Sequence, residues 1–445
     1  MPEIASPSAS TLTPAKTARQ RTDTFTSIWM MIAVAMAIAT LVAKSRMPQP
    51  LWTMIHLVTL GVLSNGIFQW SWFFARSLAR LSADDPRARR HNTIRVLIFN
   101  AFFASLFVSM WLGWMVGTVI AATGIAAVAA WHGAEMLSVL RERLASRFVI
   151  VVRYYVCSAS FFVLAALLAS FVTVTMFSPS IPEAMVAMRD RLTLAHALSG
   201  VAGWVGLTIG GTVITLGPTI LRTRMSPDAV SGGVRVLLPW CLSLLLAIAG
   251  ALLGVMPLVG AGILAVGACA IVGIVYPYAK VLRNKGPREY SAWSFLLGLL
   301  WISVGVCALG VAALFVSTPS QLRALTLMWL PIIGIAGFTQ LFQGALSYLM
   351  PVVIGGGPSI VRIGIAIIDW QFPLRLGLRN SALILELFLF FAGDSTSVHV
   401  LRMAGWFLVI ATFVIDVVIY AKTGVTQARA RRARSETLSE SRQVQ

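Results

Sequence analysis

Two histidines offer the first chemistry in this chain. His56 lies in Ile55-His56-Leu57-Val58-Thr59-Leu60-Gly61, a few residues inside a long apolar run, and His196 stands at matching depth in a second run, after Leu194-Ala195. Neutral imidazole is the nitrogen donor shared by haem iron and copper. An ionisable side chain inside an apolar run is costly enough to mark a site by default. A histidine hydrogen-bonded to a neighbouring helix is the competing reading. Along the helical face of His196 stand Gly200, Gly203, Leu207 and Gly210. A flat group such as haem could lie against that groove, or a second helix could pack into it, since small residues at this spacing are common membrane interfaces. His132 and Glu135 share a face three residues apart, as a proton relay or a structural ion pair. Glu386 and Asp416 are the other acids inside apolar runs, and complete a candidate proton path. His399 opens the last apolar run, as a third ligand or a surface residue.

The elements that must position these groups are membrane helices. Of 445 residues, 58% are hydrophobic and 11% charged, with a mean hydropathy of +0.83. Soluble chains carry about 25% charged residues. Apolar runs of helix-spanning length recur throughout, so the fold class is an all-α polytopic membrane protein. The net charge of +19 is carried by Lys and Arg in short gaps between runs. That pattern signals topology and attraction to anionic lipid, and argues against nucleic acid as a partner. Cys157, Cys241, Cys269 and Cys307 lie in separate runs without paired spacing and read as small core residues. Gly355-Gly356-Gly357-Pro358 lacks the Lys-Ser/Thr of a phosphate loop and reads as a tight turn. No Ser/His/Asp, HExxH or CxxC arrangement supports soluble-type hydrolysis or zinc chemistry.

Twelve spans are expected, near 28–43, 51–74, 95–113, 116–138, 149–176, 192–220, 236–255, 258–280, 291–316, 324–350, 378–393 and 398–421. Residues 1–27 read as a disordered tail and 422–445 as a basic tail, flanking a membrane domain over 28–421. Arginines concentrate in alternate gaps: Arg76, Arg80, Arg87, Arg89, Arg90 and Arg95 after span two, Arg362, Arg375 and Arg379 after span ten. The positive-inside rule then puts both termini in the cytoplasm of a cell-membrane protein, with His56 and His196 near the outer leaflet. Spans two, six and ten are each glycine-bearing and lead into a basic loop, which suggests a four-helix unit repeated three times.

Twelve spans with histidines in the second and sixth resemble the haem–copper oxidase superfamily. The blocks His56-Leu57-Val58-Thr59-Leu60-Gly61, Gly203-Trp204-Val205-Gly206-Leu207-Thr208 and Gly344-Ala345-Leu346-Ser347-Tyr348-Leu349-Met350-Pro351 are similar to oxidase-like bacterial membrane proteins, and more distantly to the haem- and copper-containing NnrS proteins. The resemblance implies three four-helix arcs, haem or copper on His56 and His196, and electron transfer or protection from nitric oxide and metal stress. It also implies a possible cupredoxin or multicopper oxidase partner. Spans seven and ten hold no histidine, so the three-imidazole copper site of an oxidase cannot form in its usual place. Two further readings remain open: a transporter of a small solute or lipid, motivated by glycine-interrupted helices with Glu386 and Asp416, and a non-catalytic membrane partner of a copper oxidase.

Overall fold

In a bilayer core every backbone N–H and C=O must be satisfied within the protein, and helices do this segment by segment. The computed structural model describes residues 18–43, 46–47, 49–82, 84–143, 149–177, 182–224, 227–327, 329–393 and 395–443. Twelve long helices follow in chain order: α1 Ala18–Ala43, α2 Pro50–Leu78, α3 Arg87–Trp111, α4 Met115–Glu142, α5 Ile150–Phe177, α6 Ala184–Ile220, α7 Pro227–Leu253, α8 Met256–Asn284, α9 Tyr290–Leu314, α10 Leu330–Ile354, α11 Phe372–Phe391 and α12 Thr396–Gln443. Eleven of them are long and apolar enough to cross a membrane. The exception is α11, which carries Arg375, Arg379 and Glu386 within 20 residues. Outward-facing side chains such as Leu238, Leu242, Phe388 and Phe407 are exposed, as a lipid-facing surface requires. The chain is an all-α, multi-pass membrane protein.

Several boundaries differ from the sequence expectation. Helix α1 begins at Ala18, inside the stretch expected to be a disordered tail, and residues 1–17 lie outside the described residues. The basic stretch from 422 continues α12 as helix to Gln443. Arg95, expected in a loop, is buried in α3, and Arg375 and Arg379, expected after span ten, are buried in α11. The glycine turn is as tight as expected: Gly355, Gly356 and Gly357 have φ of 72°, 97° and 91°. Side chains of α12 hold its carbonyls, Arg431 Nη1 donating to Ile354 O at 2.8 Å and Arg434 Nη1 to Gly356 O at 3.2 Å.

Consecutive helices pack side by side, and α1 returns to α12, so the helices close into a ring. At its centre α2 touches α6, α6 touches α10, and Gly66 of α2 leaves room for the Phe342 ring of α10. A cavity of about 70 Å³ lies at this junction, lined by Gly66, Ser71, Thr208, Thr212, Leu341 and Phe342 among others. All three central helices widen into π-helical turns, over Leu57–Ser64, Leu198–Gly206 and Ile335–Thr339. Shorter π segments also occur at Arg87–His91 and Ile271–Val275. Such turns free carbonyls from the i→i+4 ladder. In α2 side chains take them up: Ser64 Oγ donates to Thr59 O at 2.7 Å, and Asn65 Nδ2 to Gly61 O at 2.8 Å.

The first and last arcs share a polar motif. Asn100 of α3 accepts from Trp29 Nε1 of α1 at 2.6 Å and exchanges hydrogen bonds with Asn65 of α2 at 3.2 and 2.7 Å. Asn380 of α11 accepts from Trp301 Nε1 of α9 at 2.8 Å and exchanges bonds with Gln340 of α10 at 3.3 and 3.0 Å. Five residues before each asparagine stands a buried arginine, paired with an acid on the next helix: Arg95 with Glu135 of α4, and Arg375 with Asp416 of α12. The middle arc has Arg235 and Trp240 at the corresponding places of α7. There Arg235 is exposed, and α8 supplies no acid.

Candidate functional site

His56 ends the first two turns of α2, directly before its π-helical stretch, and His196 lies more than three turns into α6, two residues before the π-helical stretch there. The close approach of α5 and α6 then brings His196 within reach of an α5 carbonyl. Gly200 has its nearest outside neighbour in Ala165, and Gly203 leaves space for the Phe161 side chain. His196 Nδ1 hydrogen-bonds Ala165 O at 2.8 Å, and His56 Nδ1 hydrogen-bonds Trp52 O at 2.8 Å. A carbonyl can only accept, so each Nδ1 carries the proton and each Nε2 keeps its lone pair. The two rings stand 6.2 Å apart, centroid to centroid, and 13° from parallel. Trp52 stacks on the His56 ring at 4.3 Å and in turn meets Phe107 at 5.9 Å.

This donor set fits a metal. Metal-bound histidines generally donate their second ring nitrogen to a carbonyl or carboxylate, which fixes tautomer and orientation. Among the described residues no group of three or more His, Cys, Asp or Glu gathers as a metal site, and His56 and His196 stand as a pair. His56 and His196 would be the residues to hold a copper(I) ion or a haem iron, and two ligands do not suffice for a closed zinc site.

The glycines serve helix packing. The face of Gly203 is taken by Phe161, and Gly210 meets Trp240 and Tyr154, so a flat group does not lie along the whole groove. His399 is exposed at the start of α12.

The acids and His132 are placed differently from the sequence expectation. His132 and Glu135 do not pair. Glu135 accepts from Arg95, from His91 Nδ1 at 2.7 Å and from Trp131 Nε1 at 2.8 Å. His132 is buried among Phe68, Trp72 and Trp204, with Nε2 at 3.3 Å from Ser71 Oγ and Nδ1 without a partner among the described residues. Asp416 accepts from Arg375, Arg379 and, at 2.8 Å, Tyr290 Oη. Arg379 also donates to Gln343 Oε1 at 2.9 Å and Thr412 Oγ1 at 3.0 Å. Glu386 is fully buried with Arg402 at 3.7 Å, and neither carboxylate oxygen has a hydrogen bond among the described residues.

Sequence reasoning missed the buried arginines and the Trp–Asn motifs. The signal was present: Arg95, Arg235 and Arg375 recur at intervals of 140 residues, as do Asn100, Trp240 and Asn380. Fold and site together define a class, a multi-pass helical membrane protein with a paired-imidazole site at one end of its central helices. No protein-family model and no curated protein matches the chain.

Proposed function

We propose that this is a membrane-embedded redox protein in which His56 and His196 hold one haem iron or copper centre near the outer leaflet of the cell membrane. The observation that carries the reading is the pair of near-parallel rings, each with Nδ1 committed to a carbonyl and Nε2 left for a ligand. A bound haem iron or copper would supply one-electron exchange. The chain's own part is to fix both tautomers, to stack Trp52 on one ring and to half-bury the pair among apolar helices. The longest π-helical turns fall in α2 and α6, beside the two histidines, with a shorter one in α10, which supports the repeat expected of the oxidase-like reading. Electron transfer, or protection from nitric oxide and metal stress, follows from that likeness, with a cupredoxin or multicopper oxidase as electron partner. Both termini would be cytoplasmic.

The test is an absorption spectrum and metal analysis of the protein purified in mild detergent from cells supplied with haem and copper. A Soret band, or about one copper per chain, is expected, and His56→Ala and His196→Ala should each lower occupancy tenfold or more. Neither haem nor metal in the wild-type protein would overturn the reading.

One observation favours transport instead: the buried Glu386 carboxylate has only the Arg402 guanidinium at 3.7 Å and no hydrogen bond among the described residues. Solute flux abolished by Glu386→Gln and untouched by His56→Ala would select that function. Asp416, the other acid that motivated it, is engaged by two arginines.

A further inference from the structure

Close packing of α10 on α9 leaves space on the other side of α10. Glycines set that approach: a Cβ at Gly344 would stand 2.5 Å from Phe295 N, and one at Gly298 would stand 2.5 Å from Leu341 N. Drawn onto α9, α10 touches α6 lightly and reaches α2 through the Phe342 ring over Gly66. The cavity of about 70 Å³ lies between these three helices. Its lining begins ten residues beyond His56 in α2 and twelve beyond His196 in α6, about 15–18 Å further along each helix, so it is separate from the histidine pair.

The hydroxyls of the lining are already committed. Ser71 Oγ meets His132 Nε2 at 3.3 Å, and Thr208 Oγ1 donates to Ser158 Oγ at 3.0 Å. Thr212 Oγ1 donates to Thr208 O at 2.7 Å and meets Tyr155 Oη at 3.0 Å. The other lining side chains, among them Trp70, Phe74, Val213 and Leu346, are aliphatic or aromatic. A buried water needs about two to four polar partners, and an apolar cavity that offers fewer stays dry and takes up apolar molecules.

We propose that this junction is a binding site for a small nonpolar molecule, of the size of a gas atom or a diatomic gas. Volume sets the upper limit. The cavity of about 70 Å³ is several times the roughly 10–15 Å³ that one water requires, and about half of the roughly 150 Å³ that admits benzene. A lipid acyl chain would have to leave most of its length outside. The committed hydroxyls set the polarity, since a polar ligand would give up its bonds to water for none here. Nonpolar gases also dissolve preferentially in a bilayer core, so membrane helices meet them at a higher concentration than water offers. The inference stands whether or not the histidines hold a metal.

The test uses xenon, which is nonpolar, of suitable size and visible by its anomalous scattering. Crystals of the full-length protein are pressurised with xenon and compared with untreated ones. One anomalous peak is expected within the lining, beside Phe342 and Ala345. Ala345→Leu should lower its occupancy at least twofold and Ala345→Phe should abolish it, because each added side chain grows into the cavity. The wild-type peak carries the test even where a variant folds poorly. Xenon found only on the lipid-facing surface, ordered water or acyl-chain density filling the cavity, or an undiminished peak in folded Ala345→Phe would overturn the proposal.

Discussion

At the scale of single residues, the largest electrostatic commitment is Asp416, which faces two buried guanidiniums. Arg375 lies over the Tyr290 ring at 4.7 Å and Arg379 over Phe413 at 4.1 Å, so aromatic faces share the positive charge the carboxylate does not cancel. Removing one partner of a buried ion pair leaves a charge uncompensated and costs about 3–5 kcal/mol. Asp416→Asn is therefore expected to lower stability to unfolding in detergent by that amount. Glu386→Gln, which loses only a 3.7 Å ion pair with the partly exposed Arg402, should cost less than Asp416→Asn. Equal losses in the two variants would contradict this ranking. Sequence exposed Asp416 as an acid in an apolar run but hid its partners, which lie 41 and 37 residues upstream in a stretch that looks like a cationic loop. A loop beyond the membrane gives a pH dependence. Arg87 donates to the Asp85 carboxylate at 3.1 and 2.8 Å and, through these bonds first, holds its pKa below the ordinary 3.8. The folded state thus favours the charged form. Asp85 contributes stability above pH 3.8, and the contribution is lost as pH falls through the lower folded value. Asp85→Asn should make acid unfolding curves shallower in this window, with little change at neutral pH relative to their own maximum.

At the scale of elements, α6 shows why a glycine groove read in sequence supports two opposite uses. Spacing places Gly200, Gly203 and Gly210 on the face of His196, but spacing cannot say what fills that face. Here aromatic side chains of α5 and α7 fill it, and the histidine reaches Ala165 O because the helices come so close. A Cβ at Gly203 would stand 2.5 Å from Phe161 Cβ. Gly203→Val must therefore push α5 and α6 apart, at about 1–3 kcal/mol for an overpacked contact. The same movement should release the His196 ring. The expected result is a joint loss of thermal stability and of haem or copper occupancy, although residue 203 is no ligand. Occupancy retained at full level in a destabilised protein would show that the α5 carbonyl does not hold the imidazole. The π-helical turns beside both histidines were not legible, because the residues that form them are the apolar and small residues of any membrane helix.

At the scale of the whole molecule, the three-arc organisation was partly visible as similar glycine-bearing spans two, six and ten. Its firmer trace, the 140-residue recurrence of Arg95, Arg235 and Arg375, escapes hydropathy because it resides in a few polar residues set in interchangeable apolar ones. The first and last arcs keep a Trp–Asn–amide triad and an Arg–acid pair, while the middle arc has Trp240 and an exposed Arg235. If the triads are equivalent devices that lock three helices of one arc, deleting either asparagine should have the same effect. Asn100→Leu strands the Trp29 and Asn65 polar groups, and Asn380→Leu strands those of Trp301 and Gln340. Each buried group left unpaired costs about 1–3 kcal/mol. The two sites share no partner, so the double variant should lose the sum of the single losses to within about 0.5 kcal/mol. Trp240→Phe, at the corresponding place in the middle arc, removes an indole N–H that has no partner among the described residues, and should cost less than either. Unequal single losses, or a Trp240→Phe loss as large as theirs, would mean that the arcs share a course through the membrane without sharing the interactions that hold it.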